Sequence, residues 1–113
     1  MPHFIVEYSR SLETDAKHAD LMAAAHEVAV ASGQFGEADI KVRLYPVDHA
    51  LVAGNAAATL HITIYLLSGR DQPTKKALTS ALVKRFERLV PSAKSISANA
   101  IDMDRETYSK ISR

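Results

Sequence analysis

The residue directly after the initiator methionine is proline, Pro2, and three cations further along, Lys41, Arg43 and Arg70, lie in short, ordered-looking segments. Met1 is generally removed when the next residue is small, which would leave Pro2 as a terminal secondary amine. An α-amino group titrates at about 7.7–8.0 in water, and a secondary amine is more basic still. Burial beside apolar side chains and fixed cations disfavours the ammonium form, so such an amine would titrate nearer neutrality and could act as a general base. A bland reading stands beside this one, because proline suits a strand start, having no ladder donor to lose.

Lys41 and Arg43 alternate with Ile40, Val42 and Leu44, so both project from one face of a strand, while Arg70 lies in the turn Ser68-Gly69-Arg70-Asp71. Taken singly, each is an ordinary solvated charge. Set around an amine base, they suit a substrate that carries carboxylates. Arg43, mid-strand between apolar neighbours, is the hardest to explain as surface charge alone. The five histidines, His3, His18, His26, His49 and His61, make no paired ligand spacing, and there is no cysteine, so no metal site is expected. A Gly-x-Ser-x-Gly elbow and a phosphate-cradling glycine loop are both lacking, and moving one proton between oxygen and carbon needs no organic cofactor.

Positioning these groups falls to a regular alternation of elements. His3 to Tyr8 alternates in β-prone residues and predicts a first strand, followed by a helix over about Glu13 to Ser32 with Gly33 as its C-terminal cap. Ile40 to Tyr45 predicts a second strand ended by Pro46, and Asp48 to Ala58 reads as a loop or short hairpin. Leu60 to Leu66 is the clearest strand, closed by Gly69. Asp71 and Pro73 then open a second helix that Pro91 stops, and a last strand runs near Ser95 to Met103.

At an offset of 58 residues His3 aligns with His61 and Val28 with Phe86, so the chain reads as one unit written twice, about 2–57 and 58–113, within a single domain. Two β-α-β units of this kind predict an α+β fold: a four-stranded mixed sheet with both helices on one face. The other face would carry Ile5, Tyr45, Tyr65 and Leu67 among polar residues, a surface expected to be covered by further copies of the chain, with His3 and His61 at subunit contacts.

Composition narrows the partners. With 113 residues, 47% hydrophobic and 24% charged, the chain has ordinary globular proportions. Fourteen Lys and Arg against thirteen Asp and Glu argue against a nucleic-acid partner. No apolar run approaches the ~18 residues of a membrane span and no signal-like n-region leads the chain, so a cytoplasmic protein is expected.

The start Pro2-His3-Phe4-Ile5-Val6-Glu7-Tyr8-Ser9, the strand Ile40-Lys41-Val42-Arg43 with Val47-Asp48 behind it, and the Ser68-Gly69-Arg70 turn together resemble the 5-carboxymethyl-2-hydroxymuconate isomerase family of the tautomerase superfamily. The resemblance implies a tautomerase-like fold and a cofactor-independent isomerase of aromatic-compound (homoprotocatechuate) catabolism, transposing C=C bonds and assembled as a homotrimer. It implies Pro2 as the catalytic general base and Arg43 and Arg70 as carboxylate-binding residues. Lys41 stands where the family often has a further arginine, keeping the charge but losing the planar fork. The alanine-rich stretch from Ala50 to Ala58 suggests that substrate choice differs from the family's. Two other readings share the same element order: a phenylpyruvate-type tautomerase, and a ferredoxin-like regulatory module that binds a small ligand without catalysis. A purely structural oligomer would explain the sheet face but not the cations.

Overall fold

A computed structural model of the chain describes residues 1–113. Strand β1 (His3–Ser9) leads through a short 3-10 turn (Arg10–Thr14) to helix α1 (His18–Ala31) and, after a second 3-10 turn (Glu37–Asp39), to β2 (Lys41–Val47). A small hairpin, β3 (Leu51–Val52) and β4 (Asn55–Ala56), precedes β5 (Thr59–Leu67), α2 (Gln72–Leu89) and β6 (Ser95–Met103). The sheet order is β2-β1-β5-β6. β1 runs parallel to β2, β5 parallel to β6, and the two central strands are antiparallel, so each half supplies one parallel pair and the sheet is mixed.

Alternation along the strands divides the sheet into two unlike faces. Phe4, Val6, Tyr8, Leu60, Ile62, Ile64 and Leu66 are all at most 1% exposed and meet Leu21, Ala25, Leu78, Leu82 and Phe86 from the helices. Small residues on α1 (Ala24, Ala25, Ala29) let that helix approach closely. The opposite face carries Ile5, Arg43, Tyr45, Tyr65 and Ile101 and has no helix over it.

Two sequence expectations are corrected. The first helix does not run continuously from Glu13. Glu13 is drawn away to accept hydrogen bonds from the Tyr8 hydroxyl (2.7 Å) and to pair with the His18 ring (2.6 Å), and Asp15 accepts from the backbone and hydroxyl of Ser92 (2.8 and 2.9 Å). These tertiary partners break the run, and α1 restarts where the Lys17 N–H meets the Asp20 carboxylate. The second strand continues through Pro46 to Val47, because β2 is an edge strand where a missing donor is tolerated. The stretch from Asp48 to Ala58 forms a short hairpin, one of the two forms expected of it, turning through Ala53 and Gly54 at φ 53° and 79°.

Candidate active site

The site begins where β1 and β2 start together. Pro2 is buried, and its carbonyl accepts the Lys41 N–H at 3.1 Å, the first rung beside the parallel ladder. The chain's α-amine donates to the Asp39 carbonyl at 2.9 Å, and the Lys41 ammonium donates to that same carbonyl, also at 2.9 Å. Burial first, then Lys41 and Lys110, pull this amine from its ordinary 8.0 down to about 5, against a smaller opposing pull from Asp39. The Met1 amine is therefore uncharged near neutral pH.

Beside it lies a cleft of about 250 Å³ lined by Met1, Phe35, Asp39, Arg70, Arg105 and Lys110, among others. Arg70 reaches it from the turn after β5. Its guanidinium sits 4.8 Å over the Phe35 ring, which packs edge-on against the core residue Phe4, and it donates to the Gln34 carbonyl (2.8 Å), the Gln34 side-chain oxygen (3.1 Å) and the Leu67 carbonyl (3.4 Å). Gly33, at φ 71°, turns the chain out of α1 so that Gln34 and Phe35 can meet it. All three acceptors are neutral, so the charge of Arg70 stays uncompensated.

Of the residues singled out from sequence, Pro2, Lys41 and Arg70 thus converge at one end of the sheet. Arg43 lies outside the cleft within the single chain. Its guanidinium is exposed on the open face and donates to His3 Nδ1 at 3.2 Å. Because a guanidinium can only donate, His3 Nδ1 accepts, Nε2 carries the hydrogen, and that hydrogen is donated to the Tyr108 hydroxyl at 2.9 Å. Burial and the nearby cations, Arg43 foremost, lower the His3 pKa and favour this neutral ring.

Sequence reasoning missed Gln34, Phe35, Arg105, Tyr108 and Lys110. The last three lie beyond β6 in a stretch without periodicity, and nothing in their spacing ties them to residue 1. Lys110 pairs with Asp39 at 3.2 Å, which holds the Asp39 carboxyl below its ordinary value. Arg105 donates to the Ser68 carbonyl at 2.6 Å.

Several solved structures share this architecture. The native Ps01740 crystal structure matches at TM-score 0.83 and 14% identity, covering 96% of this chain and 99% of that one. A fused 4-OT described as a symmetric trimer matches at TM-score 0.75 and 20% identity, covering 94% and 91%. A macrophage migration inhibitory factor-like protein from Entamoeba histolytica matches at TM-score 0.76 and 12% identity, covering 97% and 95%. At these identities the likeness is one of fold. No curated protein matches the chain. Residues 2–110 match the family described as 5-carboxymethyl-2-hydroxymuconate isomerase, beginning at the buried proline. The chain therefore belongs to the 5-carboxymethyl-2-hydroxymuconate isomerase family and has the fold of the tautomerase superfamily, which together support an isomerase function.

Proposed function

We propose that the protein ketonises 5-carboxymethyl-2-hydroxymuconate or a similar dienol carboxylate, with the Pro2 secondary amine as the shuttling base. The observation that carries this reading is the buried position of Pro2 at the head of β1, where its carbonyl accepts the Lys41 N–H; the Met1 amine beside it is held below its ordinary value by burial and by the Lys41 and Lys110 ammonium groups. With Met1 removed, the base becomes the Pro2 nitrogen, one residue along at the buried head of β1, where the Pro2 carbonyl accepts the Lys41 N–H.

The reaction moves one proton. The amine takes hydrogen from the 2-hydroxyl, the electron pair of the broken O–H bond forms the C2 carbonyl, and the double bonds shift along the diene. The far end of the diene then takes the proton back from the ammonium as a new C–H bond, giving the α,β-unsaturated ketone with no net change in the enzyme. Arg70 and Lys41 bind carboxylates beside the base, and Arg43 does so across a subunit boundary in a homotrimer built on the open sheet face. That assembly is supported by the trimeric state of the fused 4-OT relative.

Following the ultraviolet absorbance of a 2-hydroxymuconate as it ketonises tests the reading. Native protein should show a mass lacking Met1 and rapid ketonisation. Pro2→Ala should lose about 10²–10⁴-fold in kcat/KM, the usual contribution of a positioned acid–base group. Full activity in Pro2→Ala, or in protein that retains Met1, would rule out the Pro2 secondary amine as the required base.

A further inference from the structure

After β6 the chain folds back across the end of the sheet, and three contacts pin it there. Asp104 turns the segment by accepting the backbone N–H groups of Thr107 and Tyr108 on its carbonyl (3.2 and 3.1 Å) and that of Glu106 on its carboxylate (2.9 Å). Tyr108 meets His3, Lys110 meets Asp39, and Arg105 meets the carbonyl of Ser68. The tail is therefore a wall of the cleft beside the N-terminal amine.

Arg105 stands out within that wall. It and Arg70 hold successive carbonyls of one turn, Ser68 and Leu67, and both line the same cleft. Neither guanidinium has a carboxylate partner: the ion pairs of the chain involve Arg10, Arg85, Lys75, Lys110, His18 and His26. The single acid of the cleft, Asp39, is already engaged by Lys110. Arg105 uses only Nε internally, so both of its terminal nitrogens, in an exposed side chain, are free to donate. Two neighbouring guanidiniums that share no counter-charge repel one another until an anion enters between them, and their planar donors match a carboxylate.

We propose that Arg105 joins Arg70 as a two-guanidinium clamp for one carboxylate of the substrate, so that the C-terminal tail selects di- and tricarboxylates over monocarboxylates. The clamp rests on the preceding reading for where substrate lies, but not for which group is the base. Gly69 lies against it: φ is +126° there, a backbone conformation that favours glycine, and an added Cβ would stand in ordinary van der Waals contact, at 3.5 Å, with an Arg105 terminal nitrogen.

The probe is cis,cis-muconate, a dicarboxylate without the 2-hydroxyl and so unable to ketonise, with the monocarboxylate sorbate as comparison, both titrated calorimetrically against the full chain. Arg105→Gln should weaken muconate binding at least about tenfold while changing sorbate binding much less, and the exposed helix variant Lys84→Gln should change neither. Arg105→Lys keeps a donor for Ser68 and guards against loss of the turn; it should still bind muconate more weakly, having lost the fork. Unchanged muconate affinity in both Arg105 variants, an equal loss for sorbate, or no binding by unsubstituted protein would overturn the clamp. If Pro2→Ala ketonises normally while Arg105→Gln loses muconate, the base assignment falls and the clamp stands. If Pro2→Ala is inert while the Arg105 variants bind normally, the base stands and the clamp falls.

Discussion

Lys41 and Arg43 are two residues apart on one face of β2 and yet have different surroundings. Lys41 lies opposite His3 at the start of the strand, where its ammonium shares the Asp39 carbonyl with the chain's amine. Arg43, one pleat further in, reaches the open face and the His3 ring. Lys41 is therefore the nearer electrostatic control on the amine proposed as base. Removing it takes away a cation that disfavours the ammonium form, so Lys41→Gln should raise the amine's pKa and move the acidic limb of kcat/KM to higher pH. The unsubstituted enzyme should keep that limb below the amine's ordinary value of about 8. A pH–rate profile of the two proteins checks both statements. Stability follows the same sign. In a chain that retains Met1, whose amine is neutral when folded down to about pH 5 but protonated below 8.0 when unfolded, the unfolded state binds more protons in that window, so stability falls as pH falls through it.

Elements behave as their local signals ask except where a tertiary partner outbids them. Asp71 caps α2 by accepting the Thr74 N–H at 2.9 Å, as its place before Pro73 suggests, and Asp71→Ala should cost about 1 kcal/mol in urea unfolding. The 3-10 turn before α1 is the opposite case. Leu12 is wholly buried there and forms part of the core, so Leu12→Ala should cost about 2–5 kcal/mol, whereas an exposed position in the same turn such as Ser11 should be nearly neutral. Gly69 joins an element to the site. Its φ of +126° disfavours any side chain, and Gly69→Ala should destabilise by about 1–3 kcal/mol and disturb Arg70 and Arg105 together. Activity and thermal unfolding measured on the same sample would show both losses.

On the scale of the whole molecule, the sheet has a dry face and an open one. Tyr45 and Ile101 on the open face remain 51% and 39% exposed, with Ile5 and Tyr65 between them. A trimer that covers this face should dissociate when a charge is placed on it. Ile101→Asp is expected to convert a trimer-sized species to monomer in light scattering and to lower activity if Arg43 serves a neighbouring site. A wild-type chain that runs as a monomer would remove the assembly and leave Arg43 as the partner of His3 alone.

Strand alternation, helix stripes and the glycine and proline punctuation were enough to determine two β-α-β halves and a mixed sheet with helices on one side. Those features depend on residues close together along the chain, where periodicity and turn chemistry act. The break before α1, the capture of Arg43 by His3, and the return of Arg105, Tyr108 and Lys110 to residue 1 were decided only by tertiary structure. Each depends on hydrogen bonds between positions far apart in the chain, and a polar side chain without periodicity carries no mark of the partner that folding brings to it.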